Sequence, residues 1–74
     1  MDWIERPADA GESWPADELR LHPMGIVVAL RSTGGETGAG VLRHVTADVL
    51  ELDVDEGAIE VDVRAVAAFA IVGR

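Results

Sequence analysis

The chain has 74 residues, no cysteine, and a net charge of −8 that arises from 14 acidic residues against six arginines. A chain of this length forms one small domain that buries only about 60% of its unfolded surface, and without disulfides its stability depends on packing or self-association. The scarcity of cations disfavours nucleic acid and anionic membranes as partners, because clustered Lys and Arg provide most of the affinity for both.

Two sequence features bear on localisation. The longest stretches without charge are about ten residues, well short of the roughly 20 that cross a bilayer. Asp2 and Glu5 lie close to the first residue and no apolar run follows them, unlike the pattern of a secretory signal. We therefore expect a cytoplasmic chain with no membrane partner.

Residues 1–24 show no strand periodicity and contain both tryptophans and all three prolines. We expect 1–12 to form an extended tail. A short helix is predicted at about 14–21, because Pro15 is tolerated in a first helical turn, acidic residues follow it, and another proline stops it. A helix of about two turns is too short to be stable alone, so it must lie on the rest of a single domain, 13–74.

The remaining residues predict five short strands joined by tight turns, at 25–32, 37–45, 49–54, about 58–63, and 67–72. Glycines at positions 38 and 40 of the second strand predict a bend or bulge that curls a small sheet. Five strands with no helix between them predict a mainly β protein, an antiparallel, closed or nearly closed barrel preceded by the short helix. Abundant alanine leaves a helix over 63–72 as an alternative.

The hairpin between the second and third strands is predicted to have a three-residue loop. That loop sets apolar Leu42 opposite Leu52, and it sets Arg43 opposite Glu51. His44 then lies on the inner face, where we interpret it as a core or rim histidine rather than a base, since no carboxylate lies beside it. No catalytic residue is predicted, and we expect that the protein is not an enzyme.

Carboxylates are concentrated on the outer face of the third and fourth strands. With a turn predicted at 56–57, Glu51 faces Asp62 and Asp53 faces Glu60, and like charges directly opposite destabilise a sheet. Bulk salt, a bound cation or arginines from a partner would offset this repulsion. We therefore predict that these four carboxylates bind a protein partner with a basic surface.

Clustered carboxylates are also ligands for hard cations, and the nearest approach to a metal site is Asp53, Asp55, Glu56 and Glu60. Their spacing departs from the EF-hand loop, because Gly57 comes one position too early and no bidentate glutamate follows at the required distance. No metal and no other cofactor is therefore predicted.

Trp3 and Trp14 lie in the segment with the least predicted secondary structure, while the strands contain a single aromatic residue, Phe69. One interpretation folds the tryptophans back over the barrel to complete a small core. The other makes them anchors for a partner, because aromatic residues dominate interface hot spots. Both interpretations predict buried rings, and they differ in whether the burial occurs within one chain or between chains.

The last predicted strand is apolar on both faces, although a barrel wall normally buries only one. Phe69 and Ile71 lie on the same face, and the opposite face needs cover from the helix or from another copy of the chain. Because this small domain has no disulfide, we predict a homo-oligomer whose interface includes Phe69 and Ile71.

A short helix followed by GIVVALRSTGGETGAGVLRHVTADVLELD and then AIEVDVRAVAAFAIV resembles the Sm-like fold, a five-stranded barrel of the SH3-like group. The matching positions are Val28, Leu30, Gly35, Gly40, Leu42, Asp48, Leu52, Val66 and Phe69. The resemblance implies a barrel, and a ring or dimer formed through strand edges. The residues with which the family reads RNA are not carried over, because Val49-Leu50 and Arg64-Ala65 depart from its motifs.

We therefore expect a non-enzymatic interaction module, an acidic barrel that binds a basic protein partner and self-associates. Nucleic-acid binding in the manner of Sm-like proteins is one alternative, and it requires a local basic patch. A small ligand or metal ion held at the barrel mouth is another.

Overall fold

The computed structural model describes residues 2–73, which form an antiparallel sheet and one short α-helix. The strands are β1 (Ile4–Glu5), β2 (Val27–Ser32), β3 (Thr37–Val45), β4 (Val49–Val54), β5 (Gly57–Asp62) and β6 (Val66–Gly73). Helix α1 (Ala16–Leu19) precedes β2, and a 3-10 turn (Val63–Ala65) joins β5 to β6. The strand order is β1-β6-β2-β3-β4-β5, so the mainly β class is confirmed.

The sheet is not a closed barrel, and it has six strands rather than the five predicted. Strand β1 pairs with β6, with Ile4 opposite Phe69 and Glu5 opposite Ala68. Within the described residues β5 pairs only with β4. Residues of the predicted extended tail thus occupy the edge of β6, and the sheet stays open between β1 and β5.

Helix α1 is shorter than the predicted span of 14–21. Beyond its end, the Leu21 N–H donates to the Glu18 carbonyl and the His22 N–H to the Leu19 carbonyl, both at 3.1 Å. These bonds reach back three residues, so the chain tightens into a 3-10 turn instead of continuing the α-helix. No helix within residues 2–73 combines the length and the apolar character of a membrane span.

One face of the sheet and helix α1 enclose the hydrophobic core. The fully or almost fully buried side chains include Trp14, Leu19, Val28, Leu42, Leu50, Leu52, Val63, Val66 and Phe69. The Trp14 ring packs on the Phe69 ring, with 5.6 Å between centroids and 53° between planes. Strand β6 is therefore a core strand rather than the alternative helix.

Strand β3 approaches β4 very closely at Gly40. A Cβ atom at this position would lie 2.7 Å from the Asp53 carbonyl oxygen and 3.0 Å from Val54 Cγ1, so no larger residue fits without a backbone shift. A Cβ at Gly38 would meet no atom within 4 Å. Of the two glycines inside β3, the packing therefore requires only Gly40.

The β4–β5 turn lies one position earlier than predicted. Strand β5 begins at Gly57 with a φ of 128°, directly opposite Val54. Each cross-strand partner shifts by two residues as a result, so Glu51 faces Glu60 rather than Asp62. A shift of two keeps every side chain on its predicted face, because side chains alternate with a period of two.

In the β3–β4 hairpin, Leu42 pairs with Leu52 as predicted. A bulge after Leu42 then sets His44, instead of Arg43, opposite Glu51. His44 is exposed, and its predicted position on the inner face is wrong. The bulge adds one residue to β3, so His44 lies on the face opposite to the one that strict alternation predicts.

Candidate functional site

The carboxylates predicted to bind a partner lie on the outer face of β4 and β5, and we call this set the acidic face: Glu51, Asp53, Glu60 and Asp62. Glu51 and Glu60 are directly opposite each other, whereas Asp53 faces Ala58 and Asp62 faces Val49. The acidic face therefore contains one directly opposed like-charge pair rather than the two predicted.

Two arginines of the same chain offset much of the repulsion. Arg43 lies 3.3 Å from the Asp53 carboxylate and 4.0 Å from the Glu51 carboxylate, its predicted cross-strand partner. Arg64 donates from Nε and Nη2 to the two carboxylate oxygens of Asp62, each at 3.1 Å. Four carboxylates and two arginines leave the acidic face with a net charge of −2.

Asp62 also organises the end of β5. Its Oδ1 accepts the backbone N–H of Arg64 at 2.9 Å and so caps the 3-10 turn. The Arg64 side-chain hydrogen bond, followed by this backbone bond, lowers the pKa of Asp62 below its ordinary value. Asp62 is therefore a fixed, compensated anion.

Glu60 differs from the other members of the acidic face. Among residues 2–73, no arginine lies within 4.0 Å of its carboxylate. The residue is exposed, and it lies on the edge strand opposite Glu51. One of the two uncompensated charges of the acidic face therefore lies on Glu60, and the other is shared by Glu51 and Asp53, which have only Arg43 between them.

The backbone of Glu60 faces the free edge of the sheet. The Val63 N–H donates to the Asp48 carbonyl at 3.0 Å, so Asp48 and Val63 form a hydrogen-bonded pair. The next pair, Val49 and Asp62, is then non-hydrogen-bonded. Because the two kinds of pair alternate, Glu51 and Glu60 form a non-hydrogen-bonded pair. The N–H and C=O of Glu60 therefore point away from β4.

An apolar cleft of about 370 Å³ opens on the opposite face of β4 and β5. We define this cleft by its apolar lining residues: Leu30, Leu52, Val54, Ile59, Val61 and Val66. Ile59 is 43% exposed, although it belongs to the face of β5 that points toward the core. The closed barrel predicted from the sequence has no such opening.

The two tryptophans occupy different environments. Trp14 is 3% exposed within its own chain, with the Arg6 guanidinium 4.7 Å above its ring centroid, so this ring cannot contact a partner as predicted. Trp3 is half-buried, and the Arg31 guanidinium lies 5.2 Å from its ring centroid. Burial within one chain is thus the correct interpretation for Trp14.

Arg6 holds the N-terminal segment against the start of β6. Its side chain donates to the Val63 carbonyl at 2.7 Å and twice to the Val66 carbonyl, at 2.8 and 3.0 Å. Its backbone N–H donates to the Ala67 carbonyl at 2.8 Å. We call these contacts the Arg6 clamp. The Arg6 clamp was not predicted, because a single arginine in an aperiodic segment gives no sequence signal.

The residues predicted to form an oligomer interface also differ in exposure. Phe69 is 1% exposed and lies in the core of its own chain, so it offers no surface to a second copy. Ile71 is 37% exposed and Val72 is 50% exposed. On the outer face of β6, Ala68 lies between Glu5 and Arg31, whose side chains form an ion pair. Part of the apolar outer face is therefore covered within the chain.

Within residues 2–73, no three acidic or histidine side chains are grouped closely enough to hold a metal ion. No protein-family model, curated protein or solved structure matches the chain. The similarity to the Sm-like fold therefore rests on the sequence pattern alone.

Proposed function

We propose that the chain is a non-enzymatic protein-binding module whose acidic face binds a basic surface of a partner protein. The observation that carries this proposal is Glu60, an exposed and uncompensated carboxylate directly opposite Glu51 on an edge strand. A Lys or Arg of a partner placed between these two carboxylates would attract both of them and offset their repulsion. Such charge complementarity accelerates association and selects basic partners.

The arginines of the chain favour a protein partner over a nucleic acid. Arg31, Arg43 and Arg64 contact carboxylates, and Arg6 donates to backbone carbonyls. These side chains are engaged within the chain, so they provide no clustered cations for neutralising phosphates. The alternative of nucleic-acid binding therefore has less support than binding to a basic protein.

A defined basic probe tests the proposal. We expect an arginine-rich peptide of about ten residues, added to the ¹⁵N-labelled chain at low salt, to shift amide resonances of β4 and β5, and a glutamate-rich peptide to shift none. Glu60→Lys should weaken binding of the basic peptide. Asp9→Lys is the matched control, because it makes the same charge change at an exposed position outside the sheet.

Two outcomes would contradict the proposal. In the first, the basic peptide shifts resonances over the whole surface rather than on β4 and β5. In the second, Glu60→Lys and Asp9→Lys reduce its affinity equally, which would show that only the net charge of the chain matters.

We also propose self-association through the exposed end of β6, where Ile71 and Val72 lie. Exposed apolar side chains at the end of a strand favour contact with another copy of the chain. Sedimentation equilibrium should then show a concentration-dependent dimer that Val72→Asp abolishes. A wild-type chain that stays monomeric up to hundreds of micromolar would contradict this part of the proposal.

A further inference from the structure

We infer that the partner binds by adding an extended segment as a further strand along the free edge of β5, with basic side chains over the acidic face and apolar side chains over the apolar cleft. This inference rests on the proposed function for the charge of the partner. It adds a binding geometry, and the experiments below separate the two.

The edge of β5 has free backbone groups. The N–H and C=O of Glu60 point away from β4, and alternation gives the same direction to Ala58 and Asp62. Sheet edges are usually blocked by charged side chains, proline, a bulge or a covering element. Strand β5, Gly57–Asp62, contains no proline, and no bulge interrupts its pairing with β4. Its charged side chains, Glu60 and Asp62, oppose an acidic strand but not a basic one.

The two faces of β5 require different side chains in an added strand. Glu60 and Asp62 lie on the outer face, whereas Ile59 and Val61 line the apolar cleft. A strand paired with β5 would alternate between the same two faces. A segment of about six residues that alternates Arg or Lys with Val, Ile or Leu therefore matches both faces at once.

The charge of the edges argues against a second copy of the chain as the occupant. Antiparallel pairing of β5 with β5 of another copy would set Glu60 and Asp62 against acidic residues of the same strand. The opposite edge offers the two residues of β1, whose outward-facing side chain, Glu5, is also acidic, and the end of β6 beyond them, which is a separate surface from the edge of β5. A basic segment of a different protein meets neither obstacle.

N-methylated peptides test the backbone pairing without changing the protein. In an eight-residue peptide that alternates arginine and valine and pairs antiparallel to β5, the arginine N–H groups would face β5, because each arginine shares the outer face with Glu60. Methylation of the arginine amides should reduce affinity at least tenfold, since several hydrogen bonds to the edge of β5 are lost together. Methylation of the valine amides is the matched control and should leave affinity within about threefold.

A pair of protein variants provides a second, independent measurement. Glu60→Gln and Glu60→Pro both remove the charge, but only proline also removes the N–H that faces the free edge. Proline at this position leaves the β4–β5 hydrogen bonds intact, because that N–H does not donate to β4. We expect Glu60→Gln to weaken binding of the unmethylated peptide and Glu60→Pro to weaken it about fivefold further.

The outcomes distinguish the inference from the proposed function. If both methylated peptides bind like the unmethylated one while Glu60→Lys still weakens binding, the acidic face binds the partner and strand addition is wrong. If no basic peptide binds to β4 and β5, the proposed function fails as well. If a peptide with serine in place of valine binds equally well, the apolar cleft is not used and that part is wrong.

A final measurement tests whether a second copy of the chain occupies the edge of β5. Hydrogen exchange of the Glu60 amide should be fast in the free chain at every concentration and slow when the peptide is bound. Slow exchange that becomes more pronounced as the concentration of the peptide-free chain rises would assign the edge to another copy and overturn the inference.

Discussion

The two edges of the sheet differ in length, in cover and in charge compensation. Strand β1 has two residues, and the Arg6 clamp and the Glu5–Arg31 ion pair tie it to the neighbouring strands. Strand β5 has six residues, most of them exposed, and its Glu60 carboxylate has no arginine partner in the described chain. One edge is covered along the first half of β6 by the chain's own N-terminal segment, and the other presents a full strand to solvent.

This difference bears on the stability of a small chain and on the binding proposed above. An exposed edge strand promotes aggregation, so a sheet of six strands has two sites of risk. Here β1 covers part of one of them, whereas the acidic side chains of β5 oppose indiscriminate pairing at the other. Under the proposed function, the charge of the β5 edge selects basic partners, and the following predictions test each half of this comparison.

The largest expected effect concerns the closed edge. Arg6→Met should destabilise the chain by about 3 kcal/mol, because it removes charged hydrogen bonds and leaves the Val63 and Val66 carbonyls without a side-chain partner. Arg31→Met is the control, since it removes only a partly exposed ion pair and its stacking on Trp3, and should cost about 1 kcal/mol or less. Urea unfolding at 25 °C measures both. Equal losses would show that the Arg6 clamp does not hold this edge.

The next effect concerns the contact that fixes β4, and with it β5, relative to β3. Gly40→Ala should destabilise the chain by about 1–3 kcal/mol, because the new methyl group would overlap the Asp53 carbonyl oxygen. Gly38→Ala adds the same methyl group to open space and should change stability by less than about 1 kcal/mol. Thermal unfolding of the two variants checks this order, and a larger loss for Gly38→Ala would contradict the packing described at Gly40.

A smaller effect of opposite sign is expected at the open edge. Glu60→Lys should stabilise the chain by about 0.2–1 kcal/mol at low salt, because it replaces a like-charge pair with an ion pair to Glu51. Added sodium chloride should raise the melting temperature of the wild type and shrink the advantage of the variant. A melting temperature that stays flat between low and molar salt would show that the acidic face does not limit stability.

The smallest effect concerns the pH dependence at the end of β5. The pKa of Asp62 is lowered in the folded chain, so its contribution to stability is complete above the pKa of an unfolded aspartate and is lost as the pH falls through the folded value. Asp62→Asn keeps an oxygen that can accept the Arg64 N–H but loses the charge. The variant should be slightly less stable at pH 7, and the difference should vanish in acid. A constant difference from pH 7 to pH 2 would contradict this assignment.

The alternation of apolar and polar residues predicted the strands and the face of each side chain better than it predicted the cross-strand pairs. The Leu42–Leu52 pair and the bounds of β3 and β4 follow from apolar periodicity, because a slip of one residue would expose the core. The β4–β5 register was wrong by two residues, since such a shift keeps every face and the pattern alone cannot detect it. Gly57 is the first residue of β5 and has a positive φ, and its position sets where the turn ends.

The two edges of the sheet could not be predicted from the alternation of apolar and polar residues. Strand β1 has two residues, too few to show a period, and it forms because β6 offers a free edge. The Arg6 clamp depends on carbonyl groups more than fifty residues away in sequence. The four carboxylates of the acidic face could be placed together from their alternation, but their compensation by Arg64 could not, because it depends on the 3-10 turn.

The sequence separation within the Arg6 clamp has a consequence for how the chain folds. Arg6 binds carbonyls 57 and 60 residues further along the chain, so its contacts are among the least local in the molecule. Contacts of this kind close a long loop, and their entropic cost is met only once intervening structure has brought the two ends together. We therefore expect the β2–β5 meander to form first and the N-terminal segment to dock last. During synthesis, residues 2–15 therefore cannot dock until β6 has emerged from the ribosome.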